Sequence, residues 1–137
     1  MKRDKIFGII FILLGILIML APTVIAPTCG PMENGMFMKC HWMGRSAMGA
    51  GALIAILGAG YTYVCSKKAK SALAFSLLLQ GAYTIALETF LIGGCKKPMM
   101  ACRAHTMPVL YLLAGLLIVL SLVSLILNRG SNESCGA

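Results

Sequence analysis

The sequence predicts an all-α fold, a polytopic membrane four-helix bundle, and three observations carry that expectation. Apolar segments at about 6–25, 47–64, 72–93 and 107–127 each have roughly the 17–25 residues a helix needs to cross the hydrocarbon core of a bilayer. Hydrophobic residues make up 59% of the 137-residue chain and charged residues only 12%, about half the charged share of an ordinary soluble domain. The cysteines are partitioned, with Cys29 and Cys40 between the first two segments and Cys95 and Cys102 between the last two. Spans and connections together use up the length, so a single integral membrane domain over 1–137 is expected.

The first segment follows a basic start, Lys2, Arg3 and Lys5. Its apolar run is longer than the h-region of a signal peptide, and Ala26 is followed by Pro27, so an uncleaved helix is expected. Gly8 and Gly15 are seven residues apart and share one face. Pro22 comes late, where it kinks only the outer end. The outer loop 27–45 holds Pro27, Gly30, Pro31, Asn34 and Gly35, turn formers that predict an irregular cap.

At the end of that loop, Cys40–Arg45 reads CHWMGR. Trp42 is an expected membrane-interface anchor. The second helix then repeats Ala47, Gly51, Ala55 and Ala59, a small-xxx-small stripe that lets helix backbones approach closely in lipid. Packing within the chain is the simpler use of the stripe, and a homo-oligomer is the alternative.

The third segment sets Gln80, Thr84 and Glu88 four apart, forming one polar line. An acid at bilayer depth faces the bundle and finds a partner. The expected partner of Glu88 is Arg45 or Arg103, making a structural latch, with a proton or ligand site as the alternative. The second outer loop, 94–106, also carries His105. The fourth segment is apolar apart from Ser121 and Ser124, and a short polar tail follows.

Basic residues set the orientation. Lys2, Arg3, Lys5, Lys67, Lys68, Lys70 and Arg129 fall on one side; Lys39, Arg45, Lys96, Lys97 and Arg103 fall on the other. The positive-inside rule then predicts a multi-pass protein of the cell membrane with both termini cytoplasmic. The lipid bilayer accounts for the net charge of +8, and no nucleic-acid partner is expected. The cysteines agree, since Cys29, Cys40, Cys95 and Cys102 then face the oxidising side, where disulfides persist.

A shift of 66 residues lays Gly15 on Gly81, Thr23 on Thr89 and Cys29 on Cys95. The chain thus reads as an internal two-fold repeat of helix, cysteine loop, helix. Both halves enter from the same side, which implies a pseudo-two-fold axis along the membrane normal.

Four loop cysteines allow three connectivities, and the repeat favours one bridge per loop. Each bridge would contribute on the order of 3 kcal/mol by closing a short loop. Structural stapling is the simplest role. A second reading is a quinone-linked membrane thiol–disulfide oxidoreductase, with Cys40 beside Arg45 as the reactive thiol. Its topology matches, but the chain has no Cys-x-x-Cys motif. A third is Cu(I) binding, with Met38, Met43, His41 and His105 as soft or imidazole ligands. Catalysis finds little support. Glu88 has no second intramembrane carboxylate for acid–base work, and no glycine-rich phosphate loop follows a strand.

The runs MKCHWMGR (Met38–Arg45) and LIGGCKKPMMACRAHTMP (Leu91–Pro108), with the glycine-rich helix between them, resemble the prokaryotic family called domain of unknown function 4418. The resemblance covers nearly the full length. It implies four helices and cysteine-bearing loops and brings no established activity. It also implies company with ABC-type export systems, hence a non-enzymatic accessory or scaffolding subunit, with a transporter permease as partner.

Overall fold

The apolar run behind the basic start forms α1, Lys2–Leu20, which continues into a π-helical turn at Ala21–Ile25. Pro22 accounts for that turn: it lacks the N–H an α-helix needs there, and one wider turn absorbs the mismatch. The computed structural model describes residues 2–25, 35–36, 39–91 and 107–129. Helix α2 spans Lys39–Tyr63, so it starts well before the apolar run at 47. Nothing between Lys39 and Ser46 breaks a helix, whereas Gly35 takes a left-handed φ of 72° just upstream. Cys40, His41, Trp42 and Arg45 therefore belong to the first turns of α2, where the sequence places a loop.

Helix α3 covers Lys67–Ala86 and, like α1, ends in a π-helical turn, Leu87–Leu91. Helix α4 covers Met107–Arg129, with Pro108 in the first turn, where its missing N–H costs nothing. Only Val64, Cys65 and Ser66 separate α2 from α3. Four helices are long and apolar enough to cross a membrane, at Lys2–Val24, His41–Tyr63, Lys67–Leu91 and Met107–Arg129. The described elements include no strand.

The helices pack as two hairpins, α1 on α2 and α3 on α4, laid against each other. Along α3 the buried residues are Lys70, Ala74, Leu77, Gly81 and Thr84; along α4 they are Leu110, Ala114, Leu117, Ser121, Ser124 and Asn128. Steps of four and three alternate in both. That seam of period 3.5 is the pattern of helices wound around each other with a left-handed twist. Leu13, Leu53, Ile56, Phe75, Leu79, Leu112 and Ile126 are exposed and form the lipid-facing outside.

Glycines set how closely the first hairpin closes. A Cβ on Gly15 would stand 2.5 Å from the Ala55 backbone nitrogen, and one on Gly51 would stand 2.5 Å from that of Met19. The backbones touch here, which is how helices gain dispersion energy where lipid removes the hydrophobic drive.

The repeat is visible in the structure. A shift of 66 carries the turn Ala21–Ile25 onto Leu87–Leu91 and the end of α2, Tyr63, onto the end of α4, Arg129. Gly15 maps onto Gly81, and both are buried at tight helix contacts. The two hairpins are thus built to one plan.

Candidate functional site: polar groups inside the bundle

Apolar surroundings make each buried polar group conspicuous, and these groups gather at two levels. The first level is the end carrying the termini. The Lys70 Nζ donates to Asp4 Oδ2 at 2.8 Å, with Lys70 9% and Asp4 24% exposed at the side chain. The same ammonium stands 5.9 Å from the centroid of the Tyr61 ring, within cation–π range. Tyr61 packs edge-on against Phe11 at 5.6 Å. Its hydroxyl shares a 2.6 Å hydrogen bond with Ser124 Oγ and accepts another from Asn128 Nδ2 at 2.8 Å. Tyr61, on α2, therefore ties together α1, α3 and α4.

Asp4 and Lys70 are 66 residues apart, the repeat spacing itself. Equivalent positions of a two-fold repeat can touch only at its axis. The ion pair consequently marks where that axis passes through the terminal end of the bundle.

Removing the Tyr61 hydroxyl should be a modest lesion. Tyr61→Phe leaves Asn128 Nδ2 only its 3.3 Å contact with Ser124 Oγ. Interhelical hydrogen bonds in membrane proteins average about 0.6 kcal/mol and reach about 1.7. A loss of roughly 1 kcal/mol is expected in a denaturation titration in detergent, with the fold retained.

The second level lies toward the loop end. Glu88 sits in the π-helical turn after α3 and is 1% exposed, and neither carboxylate oxygen has a hydrogen-bond partner. Thr84, one turn back, donates to the Gln80 carbonyl at 2.9 Å. Two turns back on α3 the Gln80 Nε2, and one turn from Ser124 on α4 the Ser121 Oγ, are also buried without partners. Arg45, one of the two expected partners, is exposed on α2 and forms no ion pair with Glu88 among the described residues. Arg103, the other, lies outside the described residues.

Beside this level, Pro22, Thr23, His41, Gly44, Arg45 and Met48 line a cleft of about 200 Å³ between the end of α1 and the first turns of α2. Trp42 is 60% exposed at the same end, a position suited to an interface anchor.

The other sequence-selected residues fall as follows. Met43 is 1% exposed and belongs to the apolar core, so its thioether is spent on packing. Met38 and His105 lie outside the described residues. No group of three or more His, Cys, Asp or Glu side chains able to hold a metal occurs among the described residues. Ala47 is in the core, Gly51 and Ala55 meet Gly15 of α1, and Ala59 is half-buried. Cys40 is the second residue of α2, while Cys29, Cys95 and Cys102, and with them any loop bridge, lie outside the described residues. Cys65 is an exposed free thiol on the α2–α3 connection.

Sequence reasoning missed the terminal network. Lys70 reads there as one of several cytoplasmic basic residues, and Asp4 as part of a charged leader. The signal was available in the 66-residue shift, which superposes the two.

No curated protein and no solved structure matches the chain. The family model described as "Domain of unknown function (DUF4418)" matches residues 11–127. With four membrane-length helices and that match along most of its length, the chain belongs to the DUF4418 family.

Proposed function

We propose that the protein is a non-enzymatic accessory or scaffolding subunit of the cell membrane, with both termini cytoplasmic and a disulfide-stapled cap outside. Its partner, on this reading, is the permease of an ABC-type transporter. One observation carries the proposal: the described chain is almost wholly membrane-length helix, closed within each hairpin and apolar on the outside. Such a body offers side-on helix contacts within the bilayer and little else on the side of the α2–α3 connection. The basic residues around the termini and in the first turn of α3 support the orientation.

The test is isolation of the tagged protein from its native membranes in a mild detergent. Co-migration on a native gel with a transporter permease in fixed stoichiometry is expected, together with impaired transport when the protein is deleted. A protein that always migrates alone, and whose deletion leaves export unchanged, overturns the reading.

A second reading is a quinone-linked thiol–disulfide oxidoreductase. It draws on the position of Cys40 in the first turn of α2, five residues before Arg45, which lines the neighbouring cleft. A helix N-terminus and a nearby cation both favour thiolate. Bound quinone in the purified protein, and a cysteine pair reducible at a moderate potential, would select this reading over the scaffold.

A further inference from the structure

Glu88 stands in surroundings that cannot hold a bare anion. It is 1% exposed and both its oxygens are unpartnered, while the nearby loop-end core is apolar, with Ala21, Met43, Ala47 and Leu110. An isolated carboxylate in such a medium costs many kcal/mol, so charge compensation has to come from somewhere. The described side chains do not supply it; a small cation bound to the carboxyl group itself would.

The backbone singles out the same residue. Glu88 occupies the repeat position of Pro22, in the corresponding π-helical turn. Proline explains the turn in the first half; in the second half no proline is present, and the wide turn surrounds a buried acid instead. Single π-turns of this kind are frequent at functional sites. The unpartnered Gln80 lies two turns deeper on the same helix.

The bundle is closed on the side of the termini. Toward the termini, Leu77 and Leu117 are fully buried, and beyond them Asp4, Lys70, Tyr61, Ser124 and Asn128 close the bundle.

We infer that Glu88 is an exchangeable monovalent-cation site, taking a proton or an alkali-metal ion, that is closed off on the side of the termini. The proposal is independent of the accessory role. The titratable groups at this level on neighbouring elements are Tyr111 on α4, within electrostatic range of Glu88, and His41 and Arg45 on α2; α1 carries none there.

A hydrophobic carbodiimide tests the site, because it adds only to a protonated carboxyl group: the O–H adds across a C=N bond to give an O-acylisourea, whose acyl group then migrates from oxygen to nitrogen to leave a stable N-acylurea. The full-length protein in liposomes is treated with dicyclohexylcarbodiimide and mapped by mass spectrometry. The expected adduct is on Glu88, selectively over Asp4, Glu33 and Glu133, and falls several-fold as pH is raised. Sodium or potassium in place of choline, at fixed pH, distinguishes the occupants: protection identifies a metal ion competing with the proton, and no protection identifies the proton alone. Glu88→Gln should abolish the adduct.

The inference is overturned if Glu88 is unlabelled in liposomes but labels after denaturation in SDS. Labelling that ignores pH and cations alike overturns it too. Both readouts use the unmutated chain, so the result stands even where Glu88→Gln does not fold.

Discussion

Valine at Gly51 is expected to unfold the first hairpin or lower its detergent melting temperature more than any single surface change. The new Cβ would lie 2.5 Å from the Met19 nitrogen and 2.7 Å from the Gly15 carbonyl oxygen. Those neighbours are backbone and cannot swing aside. Overpacking a core against flexible side chains costs about 1–3 kcal/mol, and a backbone-to-backbone clash should cost more. Relief requires α1 and α2 to separate, which forfeits the contacts around Gly15 and Ala55. Gly49 is the matched control: a Cβ there meets nothing within 4 Å, so Gly49→Ala on the same helix should be neutral or slightly stabilising. Thermal unfolding followed by size-exclusion fluorescence would compare the two. Equal melting temperatures for Gly51→Val and Gly49→Ala would refute the close-packed seam.

Breaking the Asp4–Lys70 pair is the second large effect. With Lys70 only 9% exposed, Asp4→Asn leaves an ammonium buried without its counter-charge, a lesion of about 3–5 kcal/mol in soluble proteins. Lys70→Met removes the charge together with its cost of burial, though it strands Asp4, which is more exposed and loses less. The double variant Asp4→Asn, Lys70→Met should therefore recover most of the stability lost by Asp4→Asn alone, because replacing a buried pair by apolar groups is often near neutral. A double-mutant cycle in detergent gives the coupling directly. Strict additivity would mean that the two side chains do not interact.

Much of this architecture could be read from residue order alone. Membrane spans announce themselves because lipid tolerates no unsatisfied backbone, and the lengths of all four helices follow from that. Gly51 and Ala55 reveal a close-packed face, since small residues at helical spacing have few other uses in a bilayer. The start of α2 was less legible. Lys39, His41 and Arg45 are polar, and hydropathy cannot separate a polar helical turn from a loop. The site was harder still. Glu88 stood out as a lone intramembrane acid, but whether it is paired depends on where Arg45 points, and a one-dimensional pattern does not encode that. The Tyr61 junction was invisible for the same reason: its contacts, Lys70, Ser124 and Asn128, come from two other helices.

The contact between positions 4 and 70 also says which hairpin will accept which. Two copies of the first hairpin, related by the same symmetry, would bring aspartate against aspartate at the central contact, and two copies of the second would bring lysine against lysine. Both self-pairings are penalised by repulsion in a poorly solvated place. Only the mixed pairing neutralises itself, so a single difference in sign between duplicated units is enough to make each half prefer its sibling to its twin.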